Sequence, residues 1–346
     1  MAYKGVIDDF QKIRANKIPG RIPCLSNSEE FDVKWHGKYT YEEFCQDGDK
    51  IFEVYKAAIE HFDYDWAWIQ IDDCFEFEPV GVKVKGQDNI LRATYGYLPV
   101  ERDTLKRLPK MDPYKDGRMP EKLKAIRKLK EYFGDTVLVT GSCAGPFSAV
   151  GLTFSLEESM MMMLIDPDFL YDAMQYWKDF YKRYIKAQQD SGADAIWFGD
   201  CNAFSSMVSI PLYTEHILPI TRELVTFCEK ELDIMMIMHN SEIKVDHVLS
   251  HLSLGVTAES VGPDANIQEM RDAMKGKIPL CGNLDPINVL WKGTPESISA
   301  EVERIMGICK EGGGYIFNTG EMVPRFVPEE NMVAFMSTAK RLAAYE

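Results

Sequence analysis

The side chains of this chain best suited to chemistry sit at the ends of apolar runs. His239 closes Ile234-Met-Met-Ile-Met-His239, Glu259 closes Gly255-Val-Thr-Ala-Glu259, and Glu321 ends the run that starts at Gly314. Imidazole is the commonest metal ligand and the usual proton shuttle near neutral pH. With Glu259 and Glu321, His239 could form a His/carboxylate set suited to zinc. The strand-end Cys281 could add a thiolate; Cys143 and Cys201 share that placement, although buried cysteine is also a common small hydrophobe. Ligands on different strands have no diagnostic interval, so spacing leaves this set open. Asp72 and Asp73 close Trp66-Ala-Trp-Ile-Gln-Ile71, and Asp200 closes Ala195-Ile-Trp-Phe-Gly199. Such carboxylates suit general acid/base work or hydrogen bonding to a substrate. Alternate strand residues face opposite ways, so only one of Asp72 and Asp73 should enter a common site.

These residues need a scaffold that brings many strand ends together. Near-continuous apolar runs at Ile22–Asn27, Trp66–Asp73, Thr136–Ser142, Ala195–Cys201, Ile234–Ser241, Gly255–Ser260, Ile278–Asp285 and Gly314–Glu321 suit strands buried on both faces. Helical stretches separate them, with Thr294-Pro295 and Asp166-Pro167 as starts and Gly192 and Gly312 as stops. The pattern predicts an α/β fold, a (β/α)8 TIM barrel with its site at the C-terminal strand ends. It reads as a single domain over 1–346. The segment 75–118 is too long for an ordinary βα loop and is expected to form a lid or hairpin excursion over the C-terminal face.

Net charge of −15 excludes the basic stripe of a nucleic-acid surface. No apolar run approaches the ~20 residues of a membrane span. The N-terminus lacks the apolar core of a signal peptide, so a cytoplasmic location is expected. The eight cysteines form no CxxC pair and are expected as free thiols. Neither a Walker A sequence, a G-x-S-x-G elbow nor an H-E-x-x-H pair is present.

Several strand ends together resemble the uroporphyrinogen decarboxylase superfamily. They are Gly145-Pro146-Phe147, Asp166-Pro167, Gly282-Asn-Leu-Asp-Pro286, Asn318-Thr-Gly-Glu321 and Pro328-Glu-Glu-Asn331. The resemblance spans the chain but is not specific for one activity. Its decarboxylase branch implies an Arg-Gln-Ala-Gly-Arg signature; the corresponding Gly20-Arg-Ile-Pro-Cys24 keeps only Arg21. Its cobalamin-dependent methyltransferase branch implies zinc on His-x-Cys and a later cysteine, where this chain has His239, Ser241 and Glu321. A zinc with fewer thiolates is a stronger Lewis acid. The resemblance therefore implies methyl transfer from a small donor, such as a methyl ether, to the cobalt of a partner corrinoid protein. Zinc on His239, Glu321, Glu259 and Cys281 would assist, Asp72, Asp73 and Asp200 would be catalytic, and Asn283 and Asn318 would bind cofactor. A monomer or homodimer is expected. The alternatives are a metal-free decarboxylase of a small carboxylated substrate, or a non-catalytic barrel that binds a corrinoid or tetrapyrrole.

Overall fold

The computed structural model describes residues 3–345. Seven parallel strands neighbour one another in chain order: Trp66–Trp68, Leu138–Ala144, Ala195–Gly199, Met235–Glu242, Ala258–Val261, Leu280–Cys281 and Tyr315–Ile316. The first expected strand, Ile22–Asn27, is irregular but closes the ring. Leu25 N donates to Phe317 O at 2.8 Å, and Phe317 N to Pro23 O at 2.9 Å. On its other side Asp65 N donates to Cys24 O at 3.0 Å. The result is the expected eight-part barrel, with both edges of the seven-stranded sheet paired to this segment.

The intervening helices cover the barrel for identifiable reasons. Gly48–Phe62 buries Ile51, Val54, Tyr55, Ala58, Ile59 and Phe62, a spacing of three and four that makes one apolar stripe. Each such large side chain contributes about 1.5–3 kcal/mol on full burial. Thr294 caps Pro295–Cys309 in a reciprocal box with Ser297, and Asp166 caps Pro167–Asp190. Gly312, Gly313 and Gly314 all have positive φ, which makes them the turn into the last strand. The helical stretch before the strand Met235–Glu242 is continuous from Ile210 to Glu231 but contains two π turns, Tyr213–Ile217 and Phe227–Glu231. Three further α-helices, Glu29–His36, Arg102–Arg107 and Pro146–Phe154, lie where no helix was expected, and a fourth, in a stretch that reads as helical, is Leu156–Ile165. The last carries the methionine run: Met162 and Met163 are buried while Met161 is exposed. No single helix among the described residues is long and apolar enough to cross a membrane.

The excursion holds an antiparallel hairpin, Lys83–Gln87 with Ile90–Gly96. Arg92 anchors it to Glu42 and Glu78. Its tip meets the loop after the last strand, where Arg325 donates to Asn89 O. Its two ends frame the barrel mouth: Phe75, Glu76 and Phe77 line the central cavity, and Arg118 returns to bind Asp72.

Candidate active site

A cavity of about 270 Å³ opens at the C-terminal strand ends. Its floor is aromatic. Trp66 and Trp68 are two apart on one strand, point the same way, and stack at 5.8 Å between centroids. Trp197 meets Trp68 edge-on at 5.8 Å and lies parallel to His239 at 4.7 Å. Strand register sets the histidine's height, with Gly199, His239 and Ser260 level on adjacent strands.

His239 is held from both ring nitrogens. Nδ1 lies 3.1 Å from Ser260 Oγ, and Nε2 lies 3.7 Å from Glu321 Oε2. Ser241 Oγ sits between, 3.5 Å from Nε2 and hydrogen-bonded to Glu321. Burial alone would lower the imidazole pKa, but Cys201 and Glu321 outweigh it and raise the value to about 10. Burial opposes charge on Glu321 too, yet His239 and Ser241 hold its pKa below the usual carboxylate value. At neutral pH the pair is therefore an imidazolium beside a carboxylate.

The remaining expected residues divide sharply. Asp72 lines the cavity, but both its oxygens are taken: Oδ2 by Arg118 at 2.7 Å, and Oδ1 by Arg118 at 3.0 Å and Cys74 N at 2.9 Å. Asp72, expected as catalytic, is thus a lining carboxylate held in place by Arg118. Asp73 lines the cavity and, among the described residues, is bonded only by Gln70 at 3.0 Å; desolvation by the surrounding chain and the nearby Asp72 charge raise its pKa. Asp200 lies beneath the lining, fully buried, with Oδ1 accepting from Ser148 Oγ at 2.8 Å. Burial pushes its pKa up to about 6.

The expected zinc set does not assemble. Glu259 is fully buried outside the lining and pairs with His251 Nδ1 at 3.1 Å. Cys281 is likewise buried, accepts from Asn318 Nδ2 at 3.7 Å, and has its thiol pushed up to about 12 by burial. Among the described residues no group of three or more His, Cys, Asp or Glu is placed to hold a metal ion. His239 Nε2 and Glu321 Oε2 instead face each other, 3.7 Å apart. The two asparagines expected at a cofactor are also occupied within the fold. Asn283 Nδ2 donates to Gly262 O and Ala265 O, each at 3.0 Å. Asn318 Nδ2 donates to Asn27 Oδ1 at 2.9 Å.

Two further lining residues, Glu76 and Lys122, lie outside the apolar runs. Glu76 accepts from Tyr181 Oη at 2.8 Å, and burial raises its pKa to about 7. Lys122 donates to Ser142 Oγ at 2.6 Å and Ser142 O at 2.9 Å; burial lowers its pKa to about 8. Lys122 sits in an ordinary helical run, so only its inward rotation marks it. Cys201, at a strand end, is the one exposed cysteine, and it too lines the cavity.

The chain matches the family described as uroporphyrinogen decarboxylase (URO-D) over residues 7–342. It is 26% identical over 299 residues to the methylcobamide:CoM methyltransferase of Methanosarcina mazei, covering 85% of each chain. With the same-named protein of Methanosarcina acetivorans it shares 25% over 334 residues, 92% of this chain and 93% of that one. The uroporphyrinogen decarboxylase of Nitrosomonas europaea is 26% identical over 228 residues, 61% of each. A solved methyltransferase from Methanosarcina mazei superposes with a TM-score of 0.81 at 18% identity, covering 97% of this chain and 98% of the other. That last likeness is one of fold.

Proposed function

The chain belongs to the uroporphyrinogen decarboxylase family, and from that premise we propose that it transfers a methyl group from a small methyl ether to a corrinoid carried by a partner protein. The near full-length similarity to methylcobamide:CoM methyltransferases supports this class. The observation that carries the reading is the charged His239–Glu321 pair, open to a small, aromatic-floored cavity. A cavity of about 270 Å³ admits a small donor but is too small to enclose a corrin ring, which would meet the chain at the mouth. When docked, the corrinoid supplies a reduced cobalt whose electron pair takes the methyl group.

The residues of this chain supply the rest. An ether oxygen leaves poorly as an anion, so it needs a proton as its bond to carbon breaks. His239 Nε2 carries that proton at neutral pH, and Glu321 keeps it there between turnovers. Trp68 and Trp197 hold the donor's apolar part and exclude water. No zinc ligand set assembles, so proton donation takes the role expected of the metal. The decarboxylase alternative fits less well. Among the described residues the lining cations are His239, paired with Glu321, and Lys122, which Ser142 binds, so the carboxylate of a small substrate finds no unpaired cation there.

Incubating the full chain with anisole and free reduced cobalamin should release phenol, followed by chromatography. Absence of phenol across aryl and alkyl methyl ethers, with the protein folded, would remove the reading. The hairpin is proposed to guide docking of the corrinoid partner, since it is anchored at the mouth while only the roots of its excursion line the cavity. Replacing 82–98 by a short loop should slow transfer to a corrinoid protein while sparing transfer to free cobalamin. Equal rates in both assays would make the hairpin ornamental.

A further inference from the structure

Two buried hydrogen-bond donors at the cavity lack partners. Asn27 and Trp68 both line the cavity and are only 1% and 2% exposed. Neither Asn27 Nδ2 nor Trp68 Nε1 has a hydrogen-bond partner among the described residues. The amide's orientation follows from its neighbours. Thr319 N donates to Asn318 Oδ1 at 2.9 Å, so the atom that Asn318 presents to Asn27 is its NH2. That NH2 requires an acceptor, which fixes Asn27 Oδ1 toward Asn318 and leaves Asn27 Nδ2 free. The Asp65 N–Cys24 O hydrogen bond joins the two chain segments that carry Asn27 and Trp68, and both residues line the same cavity. Trp68 in turn meets Trp197, which stacks on His239, so donors, aromatic wall and imidazolium form one surface.

We propose that Asn27 and Trp68 clamp the departing oxygen of the methyl donor and make the site selective for oxygen over sulfur donors. This rests on the proposed methyl transfer and names the atom that the site recognises. Indole N–H and amide NH2 are donors only, so their complement is a lone pair. Buried donors are rarely left unpaired, and an acceptor atom of a ligand seated in the cavity would pair them. As the carbon–oxygen bond breaks, its electron pair moves to oxygen, where both N–H groups stabilise the growing charge and the His239 proton joins it. A thioether sulfur is a weak acceptor and gains little from the clamp.

Calorimetric titration of the isolated full chain with anisole and with thioanisole tests this without any corrinoid. The intact protein should bind anisole more tightly. W68F removes the N–H with the pyrrole part of the indole while keeping an aromatic face for either ligand, and N27D keeps the acceptor toward Asn318 while replacing the free NH2 by an oxygen. Each should weaken anisole binding on the order of 3–10-fold and leave thioanisole within about twofold. Equal losses for both ligands would mean that the two residues merely pack or hold water, and would overturn the clamp. Binding of neither ligand, or no oxygen preference in the intact protein, would overturn it as well. Should W68F fail to fold, N27D decides alone. Selective anisole binding without phenol release would count against methyl transfer while the clamp stands; phenol release unchanged in both variants would count against the clamp alone.

Discussion

His239→Gln should lower phenol release from anisole by about 10²–10⁴-fold, the usual contribution of a positioned general acid. Glutamine keeps a polar side chain beside Glu321 and Ser241 but carries no transferable proton at neutral pH. Stability should separate this chemical effect from collapse of the site. The folded His239 pKa is raised to about 10, above the roughly 6.5 expected when unfolded. A raised pKa adds stability that is whole below the unfolded value and is lost as pH rises through the folded one. The stability gap between the intact protein and the variant should therefore be widest near pH 6. It should shrink steadily and close above about pH 10. Urea unfolding at a series of pH values measures it. A gap that stayed constant or widened on the alkaline side would mean that His239 is neutral in the fold, and the acid role would fall with it.

The barrel was legible because buried parallel strands must be apolar along their whole length, and eight such runs punctuated by helix signals leave few alternatives. His239 was legible for the same reason, as the one imidazole ending such a run. What escaped is which way each strand end turns. A shift of one residue exchanges the two faces, so Glu259 and Cys281 could be placed at their strand ends but not turned inward or outward. Glu259 is claimed by His251, eight residues before it, through a helical turn with no polar signature in sequence. The motif asparagines Asn283 and Asn318 were read as binding residues, yet their amides tie loops and strands together. Lys122 and Glu76 reach the cavity from a helix and from the excursion, where no periodicity announces them. Asn27 became visible only when the orientation of its amide could be traced through Asn318 to Thr319.

Arg118→Met should destabilise the fold by about 3–5 kcal/mol, the cost of leaving a buried charge unpaired. Arg118 closes the excursion onto the barrel. It donates twice to Asp72, twice to Glu78 and once to Cys45 O. The Asp72 side chain is wholly buried and that of Arg118 nearly so, so water cannot replace what the substitution removes. Methionine preserves much of the volume, which confines the loss to charge and hydrogen bonding. The pairing also predicts strong non-additivity. Asp72→Asn in the Arg118→Met background removes the stranded charge, so the double variant should recover part of the stability lost, whereas independent sites would add their costs. Denaturant unfolding of the two single variants and the double variant closes the cycle. A cost below about 1 kcal/mol for Arg118→Met would place the pair with exposed surface bridges, and Asp72 would again be free to act on a substrate.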